Sequence, residues 1–138
     1  MTVQEVKSKL NGVRAKYREY ILAREKADRF RDIISAASAG ASDAPQSAHS
    51  GNSTENKYIT ALWYSDQADR AFQEYMLTRQ DAEAMIAGVK FPDEREVLTR
   101  RYILNQKWED IADRMYFSLR QVHKLHSKGL ISISETVH

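Results

Sequence analysis

The chain of 138 residues predicts an all-α fold: a long antiparallel helical hairpin, coiled-coil-like, followed by a C-terminal helix-turn-helix. Three observations carry that reading. Two long segments repeat apolar residues at spacings of three and four, the period of one helix face. A stretch rich in Ser, Ala and Gly separates them. Beyond Pro92, three short amphipathic segments follow one another with only brief turns between them.

The first segment, about 3–36, sets Val3, Val6, Leu10, Val13, Tyr17, Tyr20, Ile21, Ala27, Phe30 and Ile34 mostly along one face. Such a helix is roughly 50 Å long at 1.5 Å per residue, too long for the core of one compact small domain. Next comes "SAASAGASDAPQSAHSGNSTEN", with no apolar side chain larger than Ala apart from Pro45. It cannot bury enough surface to offset its ordering entropy, so a flexible loop is expected over about 36–56, with His49 solvated.

The second long helix is expected over about 57–88. Ser53 to Asn56 supply N-cap candidates and Gly88 a stop. Its stripe runs through Ala61, Ala68, Phe72, Tyr75, Ala82, Ile86 and Val89, with Ile59, Leu62 and Met76 alongside. Arg24, Arg31 and Arg79 interrupt a strict heptad. Residues 1–90 therefore read as a loosely packed hairpin, with stripes wide enough to dock a second hairpin and make a homodimer.

Pro92 suits a first helical position, and Asp93 and Glu94 favour a helix N-terminus, as cheap surface charges. That helix should reach about Leu104. Asn105 to Lys107 form a turn, Trp108 to Met115 a short helix, Tyr116 to Ser118 a second turn, and Leu119 to about Lys128 the last helix, capped by Gly129. The helix-turn-helix domain is placed at 91–130. The tail 131–138, "ISISETVH", is β-prone and expected to be frayed or loosely packed.

Composition excludes several classes of function. The chain has no cysteine, which removes disulfides, thiol catalysis and Cys-ligated zinc. No apolar run approaches the roughly 20 residues of a membrane helix, and the N-terminus lacks a secretory apolar core. A cytoplasmic location without membrane partners is expected. There is no phosphate loop, nucleophile elbow or zinc-protease motif, so no enzyme and no cofactor is expected. His123 and His126 have an i, i+3 spacing but no evident third ligand, so no metal is assigned; His126 suits the end of the last helix.

The charge pattern points to a partner. Lys and Arg total 21 against 19 acidic residues, so the chain as a whole is almost neutral. Yet no acid lies between Asp113 and Glu135, a gap that holds Arg114, Arg120, Lys124 and Lys128. Two helices that cross steeply need a small residue where they touch and apolar residues at fixed offsets around it. Ala112 is that small residue, with Ile111, Met115, Val122 and Leu125 filling the shared core and Trp108 one turn before.

Ser118 can cap the second helix. Arg120, Gln121, His123, Lys124 and Ser127 are left facing outward. Polar and basic side chains on a helix entered through a tight turn suit the major groove of double-stranded DNA. Arg and Lys there meet guanine and Gln meets adenine. Arg114 and Lys128 are expected on phosphate. Tyr116 falls where the turn needs φ > 0, at a cost of roughly 1 kcal/mol or more relative to Gly.

The stretch "FPDEREVLTRRYILNQKWEDIADRMYFSLRQVHKLHSKGL" resembles the region-4 helix-turn-helix of sigma-70-type factors. More closely, it resembles the small sigma-like regulators encoded by phages and prophages of Gram-positive bacteria. The resemblance rests on Arg101, Tyr102, Trp108, Glu109, Ile111 and Ala112, continuing through Met115, Phe117, Ser118, Arg120, Gln121, Val122, Leu125 and His126. It implies sequence-specific DNA binding and control of phage transcription. Regions that would recognise the −10 element and melt DNA have no counterpart here, so the resemblance implies a regulator, or a protein that recruits RNA polymerase. Two other readings remain at this point. One is an oligomeric DNA-binding subunit of a phage packaging machine, like a small terminase. The other is a coiled-coil adaptor that binds protein.

Overall fold

The computed structural model describes residues 1–40 and 50–136, and all its regular structure there is helical. Helix α1 spans Val3–Gly40 and α2 Ser50–Ala87. Helix α3, Pro92–Leu98, runs into a π-helical turn at Thr99–Ile103, and α4, Trp108–Met115, and α5, Leu119–Thr136, complete the chain. The loop expected at 36–56 is shorter on both sides, because α1 continues to Gly40 and α2 begins at Ser50. Ala is the best helix former, and the Ala-rich end of α1 carries the helix onward. The middle of that loop, with His49, lies outside the described residues.

The chain divides into two compact units. One is Tyr17–Glu74, where α1 and α2 lie antiparallel. Tyr20 meets Phe72 with ring centroids 5.2 Å apart, and Phe30 meets Tyr64 at 5.5 Å, so the contacts descend along α2 as they ascend along α1. Ala27, Ile34 and Ala68 are its buried residues among those described. The Arg residues that interrupt the α1 stripe are on its outside, where Arg24 and Arg31 both reach Asp28 at 3.4 Å.

The other unit is Met1–Lys16 with Tyr75–His138. The boundary expected at 90/91 therefore runs through a compact body. Its core takes Val6, Leu10 and Val13 from α1, Ala82 and Ile86 from α2, and Val97, Leu98, Ile111 and Val122 from the elements beyond. Thr2 and Glu5 open α1 with a capping box: the Glu5 N–H donates to Thr2 Oγ1 at 3.1 Å, and the Thr2 N–H donates to Glu5 Oε2 at 3.2 Å. Gly88 ends α2, and Pro92 stands at the first turn of α3 behind the extended Phe91.

Two expectations about the C-terminal end need correction. The last helix does not stop near Lys128, and the tail expected to fray is helical through Thr136. Helix α5 continues to Thr136, because Leu130 and Ile133 are buried and tertiary packing outweighs β-propensity. Gly129 consequently is no cap. It lies mid-helix where α5 passes α3, and a Cβ there would stand 2.8 Å from Leu98 Cδ1 and 3.6 Å from Glu94 Cβ. Glu94 is no surface charge either: it is 5 % exposed, and its Oε2 has no hydrogen-bond partner.

Candidate nucleic-acid interface

The helix-turn-helix is built as the offsets from Ala112 require. Val97, Ile111, Ala112 and Val122 form its buried cluster, with Trp108, Met115, Phe117 and Leu125 packed around them. Helix α4 ends in a Schellman-type cap. The Phe117 N–H donates to the Ala112 carbonyl at 3.0 Å and the Tyr116 N–H to the Asp113 carbonyl at 3.4 Å. This cap puts Tyr116 in the left-handed region, φ 57° and ψ 40°, with its side chain 93 % exposed. Ser118 then caps α5, its Oγ accepting the Gln121 N–H at 3.2 Å. The Ser118 hydroxyl proton is left to donate outward.

Helix α5 has two faces. Val122, His126, Gly129 and Ile133 are buried on one. Arg120, Gln121, Lys124, Ser127 and Lys128 fall on the opposite side, within an arc of about 120° at roughly 100° per residue, and each is exposed. His123 and, on α4, Arg114 are exposed as well. All eight residues singled out from the sequence are therefore solvent-accessible, and none of the cationic ones among them forms an ion pair among the described residues. A cationic helix face without internal carboxylate partners is free to meet an anion.

His123 differs from the rest. Its ring packs on Trp108 with centroids 4.5 Å apart, which fixes its direction without burying it.

An aromatic and cationic cluster braces this face from behind. The Arg101 guanidinium lies 4.4 Å from the Trp108 ring centroid, and His126 meets the same ring edge-on at 4.8 Å. The π-helical turn sets the position of Arg101. The Leu104 N–H reaches back to the Thr99 carbonyl at 3.0 Å, and Arg101 donates to the Gln106 carbonyl at 3.1 Å. Asn105 follows at φ 56°. Burial, then the neighbouring Arg14, holds the Arg101 pKa below its ordinary value.

His126 sits mid-helix and buried, not at the helix end expected from the sequence. Its Nε2 is 2.6 Å from the Tyr102 hydroxyl. Burial pulls its pKa down to about 4, helped by Lys7, His123 and Arg101, so the ring is neutral near pH 7. Burial raises the Tyr102 pKa, so a neutral phenol faces a neutral imidazole, and the imidazole tautomer sets which of the two donates.

Sequence reasoning missed this pair, although Tyr102 and His126 were both in view. Their contact spans 24 residues of chain and depends on how α5 crosses the π-helical turn. Among the described residues no group of three His, Asp or Glu could hold a metal, and no helix is long and apolar enough to cross a membrane. In comparisons with known proteins, no family model, no curated protein and no solved structure matches this chain.

Proposed function

We propose that this protein is a sequence-specific DNA-binding transcriptional regulator that lays the first half of α5 in the major groove. The observation that carries the reading is the exposed face Arg120, Gln121, Lys124, Ser127 and Lys128 on a capped helix that follows a tight turn. Arg120, Gln121 and Lys124 would meet base edges, and Ser118, Arg114 and Lys128 the phosphates on either side. His123, steered by Trp108, would meet the groove edge. The resemblance to sigma-like phage regulators favours a role in phage or prophage transcription, with RNA polymerase as a further partner and a homodimer as the working form.

Selection of duplexes from a random library, followed by titration at several salt concentrations, tests this. A selected site should bind much tighter than a scrambled duplex, and log affinity should fall linearly with log salt. Equal affinity for selected and scrambled duplexes would remove sequence-specific regulation from the reading.

An oligomeric packaging subunit is the second reading, and the exposed Ile59, Leu62 and Trp63 on α2 favour it. It requires a ring or larger assembly, which particle mass distinguishes from a dimer.

A further inference from the structure

Helix α1 brings more to the unit Met1–Lys16 with Tyr75–His138 than its core residues. Val6, Leu10 and Val13 are fully buried there, which fixes the rotation of the helix. Lys7, Asn11 and Arg14 each stand one residue further on. They form a stripe within about 60°, at roughly 100° per residue, along the edge of the buried face. Lys7 and Asn11 are exposed and Arg14 is half-buried.

The stripe runs beside the aromatic cluster that supports α5. After burial, the Arg14 charge is what most lowers the Arg101 pKa, and the Lys7 charge has the same place for His126. Arg101 in turn lies 4.4 Å from the Trp108 ring centroid. His123 packs on that ring at 4.5 Å, one residue before Lys124 on the exposed face of α5. Arg14, Arg101 and His123 are thus steps on one path from α1 to the cationic face of α5.

Among the described residues none of Lys7, Arg14 and Arg101 forms an ion pair. Glu109 acts on Arg101 in the opposite sense, but less strongly than Arg14 and beyond ion-pair distance. A face that meets only water gains nothing from gathering cations of several elements, because they repel one another. A polyanion turns that repulsion into attraction.

We propose that Lys7 and Arg14, with Arg101, form a second cationic surface that holds the phosphate backbone of the duplex beside the groove entered by α5. The composition of the stripe selects this occupant. Lys7 and Arg14 are about 10 Å apart at 1.5 Å per residue, with polar Asn11 between them and no large exposed apolar side chain in that stretch. A protein partner would find no apolar centre to bury, whereas phosphates need only the charge. The surface rests on the reading of α5 as the DNA-facing helix, and adds sequence-independent affinity and orientation to it.

The test titrates the full chain with a selected and a scrambled duplex at several salt concentrations. Lys7→Gln/Arg14→Gln keeps the long stems and removes both charges. It should bind both duplexes roughly tenfold more weakly at low salt, with the salt dependence shallower by about two phosphate contacts. Lys7→Arg/Arg14→Lys should bind as wild type does. Lys9→Gln removes a charge from the same helix at about 200° from Lys7, and should change neither quantity. The urea midpoint of Lys7→Gln/Arg14→Gln should be no lower than that of wild type, because neither side chain has an ion pair to lose.

Unchanged affinity and salt slope in the double variant, an equal loss in Lys9→Gln, or a lowered urea midpoint would each overturn the surface and leave groove reading by α5 untouched. Where both duplexes bind equally well and the double variant still weakens them, the surface stands and sequence-specific reading fails. A wild type that binds no duplex removes both.

Discussion

The Tyr102 hydroxyl and His126 Nε2 share a hydrogen bond of 2.6 Å, between two side chains that are both buried. This bond locks α5 to the π-helical turn and makes the neutral imidazole part of the fold.

Stability should therefore depend on pH below neutrality. An unfolded His takes up a proton near pH 6.5, whereas folded His126 does so only near about 4. Above pH 6.5 the ring is neutral in both states and contributes no pH dependence. Between pH 6.5 and 4 the unfolded chain binds a proton that the folded chain refuses, so stability falls as pH falls. The loss reaches about 3 kcal/mol at the lower limit. Urea unfolding at pH 7.5, 6, 5 and 4.5 measures it, and the difference between wild type and His126→Gln isolates this residue. Parallel profiles for the two proteins would contradict the assignment.

Tyr102→Phe removes the hydroxyl and leaves the buried His126 Nε2 unpaired. A loss of about 1–3 kcal/mol is expected from the same unfolding measurement at pH 7.5.

Gly129→Ala tests the close approach of α5 to α3. The added methyl would stand 2.8 Å from Leu98 Cδ1, and Leu98 is itself fully buried, so it has little room to give. Overpacking of this kind costs about 1–3 kcal/mol, against which the helix gains about 1 kcal/mol from Ala over Gly. The net change should be destabilising, seen as a lower urea midpoint, and shortening the neighbour in Gly129→Ala/Leu98→Val should recover part of it.

Tyr116→Gly should stabilise. The left-handed backbone at φ 57° penalises any Cβ, and a side chain 93 % exposed returns little packing. A gain of about 1 kcal/mol is expected, read as a higher urea midpoint at unchanged slope.

On DNA, the exposed residues should separate into two groups. Arg120→Ala and Lys124→Ala should each reduce discrimination between the selected and a scrambled site by about 1–3 kcal/mol. Arg114→Ala and Lys128→Ala should weaken both duplexes alike and make the salt dependence shallower by about one phosphate contact. Competition titrations at two salt concentrations distinguish these outcomes.

The helix-turn-helix was legible because its geometry depends on local offsets. The spacing of Ile111, Met115, Val122 and Leu125 from Ala112, the Ser118 cap and the Pro92 start all act over short stretches of chain. The Thr2–Glu5 capping box was equally local and readable as T-x-x-E, although the apolar stripe drew attention away from it. The features that escaped are the long-range ones. Continuation of α5 through "ISISET" depends on burial of Leu130 and Ile133 by other elements, against the β-propensity of the segment itself. The π-helical turn differs from an α-helix by one residue per hydrogen-bonded ring, which an apolar period of three and four does not resolve. The burial of Glu94 is set by the passage of Gly129, 35 positions further on (129 − 94). Such contacts have no signature near either residue.

Helix α5 carries Arg120 near one end and Ile133 near the other, on a single unbroken rod. Those positions are about 20 Å apart at 1.5 Å per residue, so the anchored end acts as the handle of a lever. A small tilt introduced at Ile133 swings the guanidinium of Arg120 by a correspondingly larger displacement. On the proposed reading of α5 as the DNA-facing helix, substitutions that never touch nucleic acid would thereby retune which bases are read, through aim alone.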